Sequence, residues 1–302
     1  MKYQKSISLL VILISLFSFT ATTYALVSNQ GRGRYEYKSI FSENVDIYGK
    51  GLYQHDSVSM AVQALAQDYV TLFLGIPLLI ISLILTRKGS VKGCLLLTGT
   101  LGYFLYTYAS YSFLSMYNSM FLVYVIIMSA SFFAFTLAMM SFDIPSLPQL
   151  FKDALPIKFI CGFLFIVSSL FGLMWLGKVV PPMIHGTQPD GLEDYTTLII
   201  QALDLGFVIP VGFLAAILLI KRRPFGYLLA AVITFKDITL LTALSAMVIL
   251  QYLTGIHINP AMIVIFLLIN IVFLYTMVLI LKNVKEVDTF KSKDKSSDIE
   301  KY

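Results

Sequence analysis

The sequence predicts an all-α fold, a polytopic membrane bundle of eight transmembrane helices. Hydrophobic residues make up 58% of the 302-residue chain and charged residues 13%, whereas soluble domains average about 45–50% and about 25%. The mean hydropathy is +0.81. Apolar runs of about 20 residues, the length that crosses a bilayer, recur along the whole chain. These runs are continuous, which favours helices over the alternating strands of an outer-membrane barrel.

Each predicted span is one apolar run that ends at charged or turn-forming residues. The second span can begin earlier, as an amphipathic helix from Ser57. The predicted spans are residues 7–27, 69–86, 91–113, 119–140, 158–176, 197–220, 225–251 and 260–281. Together they form one transmembrane bundle over residues 1–281. The tail, residues 282–302, is charged and rich in serine, which predicts a disordered cytoplasmic segment.

Basic residues predict how the bundle is threaded. They concentrate at one set of helix ends: Lys2, Lys5, Arg87, Lys88, Lys92, Lys152, Lys158, Lys221, Arg222, Arg223, Lys282 and Lys285. The opposite loops contain few Lys or Arg residues, except for the long loop 29–66, which also carries acids and is predicted to be structured. By the positive-inside rule both termini are cytoplasmic. We therefore expect a multipass protein of a plasma membrane.

The first span leaves an alternative open. Residues 1–25 also resemble a signal peptide, with two lysines, an apolar stretch and a small-residue cleavage site at residues 23–25. Cleavage would leave seven spans and place the N-terminus outside. The apolar stretch is long enough to span a bilayer, and multipass proteins usually keep their first helix, so we expect retention.

A faint internal repeat joins the two halves of the chain. The second and sixth spans each carry an Ile-Pro pair, at residues 76–77 and 209–210, and each ends in a basic turn. The third and seventh spans each carry a glycine ten residues before a polar residue: Gly93 before Tyr103, and Gly226 before Lys236. This pattern predicts two four-helix halves in parallel orientation. The nearest upstream aspartate lies at different distances from the two prolines, so a bundle without duplication also fits.

Three stretches carry a family resemblance: residues 67–79 (QDYVTLFLGIPLL), 101–106 (LGYFLY) and 202–210 (ALDLGFVIP). They resemble a family of prokaryotic multipass membrane proteins that has no assigned activity. The resemblance covers roughly residues 51–251. It implies a prokaryotic plasma membrane protein and supplies no substrate, cofactor or site residue.

Three ionisable residues lie deep within apolar runs: Asp204 in the sixth span, and Lys236 and Asp237 in the seventh. A charged side chain at a helix centre costs about 2.5–3.5 kcal/mol, so such residues face the bundle interior and find partners. The two spans are antiparallel neighbours, and the spacing predicts that Lys236 pairs with Asp204. Asp237 is less suited, because adjacent side chains on a helix point about 100° apart. The pair can be a ligand or ion site, or a structural ion pair that sets helix registry.

Further polar residues are predicted to gather at the same height. They are Gln67 and Asp68 in the second span, Tyr103 in the third, Gln201 in the sixth and Asn270 in the eighth. An outward-opening polar cavity would accommodate all of them, with the loop 179–194 as its lid. Structural roles compete with this interpretation. Asp68 can cap a helix turn, and Asn270 can form an interhelical hydrogen bond.

Several kinds of site are disfavoured. The histidines are far apart in loops and the two cysteines form no framework, so we expect neither a metal nor a cofactor. No phosphate-binding loop, dinucleotide fingerprint or nucleophile elbow occurs. The net charge of +5 is explained by the basic helix ends rather than by nucleic acid.

Three classes of function fit these features. The favoured one is a non-enzymatic accessory or sensor protein that binds a lipid or a partner protein through the cavity. The second is a small-solute or ion permease that uses an Asp204/Lys236 pair. The third is an intramembrane enzyme acting on lipid, which would need two carboxylates, such as those of Asp68 and Asp204, to face each other. The expected partners are therefore the bilayer and either a protein or a small solute.

Overall fold

A computed structural model describes residues 2–286. Eight long helices follow one another within these residues: α1 (Gln4–Val27), α2 (Val58–Arg87), α3 (Val91–Leu114), α4 (Phe121–Met140), α5 (Ile157–His185), α6 (Ile199–Ile220), α7 (Pro224–Leu253) and α8 (Pro260–Asn283). A short 3-10 helix, Ile144–Leu150, lies between α4 and α5. Between α1 and α2, strands β1 (Tyr35–Lys38) and β2 (Asn44–Ile47) pair antiparallel, which confirms that this long loop is structured.

Seven of these helices are long and apolar enough to cross a membrane. The prediction of eight spans is therefore confirmed in part, and the exception is α3. Threonines and tyrosines interrupt its apolar character. Other helices enclose α3, and Phe113 is the one exposed residue along the length of α3. A helix enclosed by protein does not face lipid, so its side chains are free to be polar.

The two central helices, α3 and α7, pack closely at Gly99. A Cβ atom on Gly99 would collide with the Phe235 side chain and lie 3.0 Å from the carbonyl oxygen of Val232. Small residues allow two helix backbones to approach in this way. Beyond α3, α7 also packs against α2, α6 and α8, so the bundle is organised around this central pair.

Two helices contain a π-helical turn at matching places. Thr71–Gly75 in α2 and Asp204–Val208 in α6 each stand directly before an Ile-Pro pair. The sequence separation between the two turns is the same as that between Gly93 and Gly226, which pack α3 and α7 against the ends of α2 and α6. The two π turns and the two glycines therefore share one sequence offset, which is the register that an internal repeat would have. The counterpart of Asp204 is Thr71 and not the nearest aspartate.

Helix ends agree with the predicted spans except at two places. α5 was expected to end near residue 176 but continues to His185 and stops at Gly186, whose φ of +64° suits glycine. The tail was expected to begin at residue 282, yet Asn283 is helical and Val284 is buried and bridges Phe151. Residues 287–302, where the rest of the predicted disordered tail falls, lie outside the described residues.

The start of α2 agrees with the sequence, and α1 is packed into the bundle. The Ser57 hydroxyl accepts a hydrogen bond from the Met60 amide at 3.2 Å, so the helix begins where the amphipathic extension was predicted. α1 packs against α2 and α4. Its residues Ile7, Val11 and Ile14 are buried in the same core as those helices.

Candidate functional site

A cavity of about 340 Å³ lies between the helices at the bundle end away from the basic turns. The beginnings of α2 and α6, the ends of α3 and α5, and parts of α7 and α8 line it. The connection from α5 to α6, residues 186–198, contributes Leu192, Glu193 and Tyr195 to the lining, and we call it the lid loop. The volume falls in the range of small-molecule sites, about 300–1,000 Å³.

Asp204 is held at this cavity by two neutral donors. It is the first residue of the π turn in α6 and is half-buried. Its Oδ1 accepts a hydrogen bond from the Tyr106 hydroxyl of α3 at 2.7 Å, and its Oδ2 accepts one from the Trp175 indole of α5 at 2.8 Å. Three helices therefore converge on one carboxylate. Such π turns are frequent at functional sites because they change which way side chains point.

The predicted pair between Lys236 and Asp204 is wrong. The Lys236 ammonium forms its ion pair with the adjacent Asp237 at 2.9 Å, and both side chains are largely buried. Adjacent side chains on a helix point in different directions, but the lysine side chain is long and flexible. Its four-carbon stem bends back to the neighbouring carboxylate. Lys236 Nζ also lies 4.6 Å from the centre of the Tyr106 ring. Tyr106 therefore links Lys236 to Asp204 indirectly.

Asp204 also lines a second, smaller cavity. This cavity has a volume of about 60 Å³, and its lining includes Asp237, Ser168 and Gly212. Asp204 stands in the walls of both spaces. The smaller cavity is lined mostly by apolar side chains, and its polar lining residues are Asp204, Asp237 and Ser168.

Gln67 and Gln201 line the larger cavity, as the prediction of a shared polar space requires. Gln67 donates hydrogen bonds to the Tyr103 hydroxyl at 2.7 Å and to Thr107 at 3.2 Å. Tyr103 itself is fully buried and is not part of the lining. Its role is to hold Gln67 and Thr71 in place from behind the cavity wall.

Asp68 belongs to a different cluster. It is buried and accepts hydrogen bonds from the hydroxyls of Tyr53 at 2.6 Å and Tyr111 at 3.2 Å. It neither caps a helix turn nor lines the cavity. Asp68 and Asp204 therefore sit in separate hydrogen-bond networks, which is not the facing arrangement that the intramembrane enzyme would need.

Asn270 forms an interhelical hydrogen bond, which was the structural alternative to a place in the cavity. It donates a hydrogen bond to Thr242 at 3.1 Å and so ties α8 to α7. It lines neither cavity. Among residues 2–286, no group of three or more His, Cys, Asp and Glu side chains is arranged to hold a metal ion.

The lid loop is fastened to the bundle by acidic residues. Asp56, just before α2, accepts hydrogen bonds from the Tyr195 hydroxyl and the Met116 amide, each at 3.0 Å. The Ser57 hydroxyl donates to the Glu193 carboxylate. The second oxygen of Asp56 is buried without a hydrogen-bond partner. Burial raises the pKa of Asp56 to about 7, because the charged form loses water without gaining a basic partner.

Two further lid acids behave in the same way. Burial raises the pKa values of Glu193 and Asp194 above their ordinary range. The predicted lid, 179–194, is thus partly right. Its first residues belong to α5, and Tyr195 beyond its end makes the contact to Asp56.

Sequence reasoning missed the residues that hold Asp204 and the lid. Tyr106 was visible as the residue one helical turn after Tyr103. Trp175 was visible as the one tryptophan of the chain, set within an apolar run. Neither signal shows that the two side chains meet at a carboxylate on a third helix.

No protein-family model matches the chain, and neither does any curated protein or solved structure.

Proposed function

We propose that this chain is a non-enzymatic membrane protein, an accessory or sensor component, that binds a ligand in the cavity beneath the lid loop. Its eight helices span the plasma membrane of a prokaryote, with both termini cytoplasmic and the cavity opening outward. The basic turns between α2 and α3 and between α6 and α7 support this orientation.

One observation carries the proposal. Asp204 sits in the wall of a cavity of ligand size, held by Tyr106 and Trp175, with no basic side chain of residues 2–286 in ion-pair contact. A charge within a bundle is costly to keep. A carboxylate fixed in this position is pre-organised to bind a group that enters from the cavity.

Native mass spectrometry of the detergent-purified protein tests the proposal. We expect a bound molecule on the wild-type chain and none on Ser110→Phe, which places a ring in the cavity that Ser110 lines. Ser112→Phe is the matched control, since Ser112 lies on the same helix outside the lining and should keep the ligand. A wild-type chain without a bound molecule, or the same fraction of ligand-bound chain in Ser110→Phe and Ser112→Phe, would contradict the proposal.

A permease for a small solute or ion is the second candidate. The specific observation in its favour is that Asp204 lines both cavities, and that the smaller one also reaches Asp237. Pyranine-loaded proteoliposomes under a pH gradient test it. If the chain is a permease, the wild-type protein dissipates the gradient. The Asp204→Asn variant then inserts normally but leaves the gradient intact. Equal rates of gradient dissipation in the wild-type protein and in Asp204→Asn would contradict the permease hypothesis.

A further inference from the structure

We infer that the ligand of this cavity carries a substituted ammonium group that binds against Asp204. The inference rests on the proposed function and names the chemical class of its ligand.

The charge of the cavity favours a cation. Asp204, Asp56 and Glu193 contribute carboxyl groups to the lining, whereas Lys178 is its one basic residue. Lys178 lies one helical turn beyond Trp175, and its ammonium is beside Gly191 of the lid loop. Asp204 is thus left with neutral partners, and a positive group beside it would compensate its charge.

The surroundings of Asp204 do not suit a metal cation. Ca²⁺ and similar ions need about six to eight oxygen ligands. The Tyr106 hydroxyl and the Trp175 indole use their hydrogens on Asp204, and the indole has no acceptor to offer. Each carboxylate oxygen keeps a free lone pair, which an N–H donor or a polarised methyl group of an ammonium can face.

The rest of the lining fits a substituted ammonium rather than a bare one. Apolar side chains from α5, α7 and α8 surround the space: Phe171, Met174, Leu240, Leu244, Met247 and Phe266. Such a wall accepts alkyl groups, and aromatic rings attract an ammonium beside them. The lining thus combines a carboxylate with apolar and aromatic side chains, which is the combination that a small organic cation requires.

Trp175 makes the inference directly measurable. It is the one tryptophan of the chain and it contacts Asp204, so tryptophan emission, excited at wavelengths where tyrosine does not absorb, reports on this site. We would titrate the full-length protein in dodecyl maltoside with choline and with 3,3-dimethylbutan-1-ol, its neutral isostere. We expect a saturable change with choline and at least tenfold weaker binding of the isostere.

Two carboxylate variants give the matched comparison. Asp204→Asn should weaken choline binding at least tenfold, whereas Asp68→Asn, which alters a carboxylate outside the cavity, should change it less than twofold. Asp204→Glu keeps the charge and should retain most of the affinity, which guards against misfolding of Asp204→Asn. Elution from size exclusion checks the fold of each variant.

Dihexanoylphosphatidylcholine separates two sources of the ammonium group. Binding tighter than that of choline identifies a lipid headgroup as the ligand, and weaker binding identifies a free amine. Equal binding of the isostere and choline, or unchanged choline binding in Asp204→Asn, would overturn the inference. If choline fails to bind while native mass spectrometry still finds a ligand, the inference falls and the proposed function stands.

Discussion

At the scale of the residue, neutral hydrogen-bond donors rather than opposite charges hold the carboxylates of Asp204 and Asp68. Asp204 is bound by a phenol and an indole, and Asp68 by two phenols. The buried lysine is paired with its own neighbour. In a bundle with few charges, neutral donors satisfy a carboxylate without adding a second ion that must also be buried.

Gly99→Ala provides the residue-scale prediction. Its methyl group would meet Phe235 and the backbone of α7, so the central helix pair would have to separate. We expect a loss of about 1–3 kcal/mol in the free energy of unfolding, the usual cost of overpacking. Thermal unfolding followed by Trp175 fluorescence measures it. Gly162→Ala in α5 is the control, because nothing lies within 4 Å of its added methyl group, and equal losses in both variants would contradict the packing.

The sequence could predict part of the polar lining but not how the polar residues pair, and Asp68, Tyr103 and Asn270 were wrongly expected in that lining. Gln67, Gln201 and Asp204 were expected at a common cavity, and they line one. The partner of Lys236 depended on side-chain bending, which helix spacing does not describe. The partners of Asp204 come from helices 29 and 98 residues away, and no local pattern encodes such contacts.

At the scale of the element, the lid loop is the segment whose position depends on protonation. With the loop docked, Asp56 is buried and its pKa of about 7 lies above the ordinary value of 3.8, because desolvation outweighs the hydrogen bonds from Met116 and Tyr195, which lower it. The docked loop therefore binds a proton more tightly than the undocked one. Docking is strongest below the ordinary pKa, weakens as pH rises from about 4 to about 7, and is constant above that. Glu193 and Asp194 change in the same direction, with Lys178 as the basic group beside Glu193.

This linkage predicts that the cavity opens as pH rises. Acrylamide quenching of Trp175, measured between about pH 4 and pH 8, should increase with pH in the wild-type protein. Asp56→Asn should lose most of that increase, because its amide does not titrate. Asp46→Asn, on the exposed hairpin and ion-paired with Arg34, should keep the wild-type profile. A decrease with pH, or an unchanged slope in Asp56→Asn, would contradict the role of Asp56.

Helix positions could be predicted because apolar runs end at charged residues, but irregular features could not. The π turns at Thr71–Gly75 and Asp204–Val208 have no compositional signal. α5 was expected to end near residue 176 but extends past Lys178, where its residues are again apolar. Pro181 and Pro182 lie inside the helix and do not end it.

At the scale of the whole molecule, helices from both halves of the chain line the site, and its carboxylate Asp204 comes from the second half. Thr71 in the first half is buried and exchanges a hydrogen bond with Tyr103. Its counterpart Asp204 faces the cavity and bonds Tyr106, one turn further along α3. The two π turns thus begin with different residues, a neutral threonine in α2 and an acid in α6.

The orientation of the bundle is testable by cysteine labelling. In a chain with Cys94 and Cys161 replaced by serine, we would place single cysteines at Ser42, Asp190 and Arg222. A membrane-impermeant maleimide should label the first two in intact cells and the third only after permeabilisation. Labelling of Arg222→Cys in intact cells would reverse the proposed topology.

Acrylamide quenching of Trp175 fluorescence at a single pH is the most direct test of an accessible cavity at Asp204. We expect the wild-type protein and Ser112→Phe to be quenched equally, and Ser110→Phe to be protected, because a ring then occupies part of the cavity that Ser110 and Trp175 both line. Equal quenching in all three proteins, or no quenching in the wild type, would contradict the existence of a ligand-accessible cavity at this carboxylate.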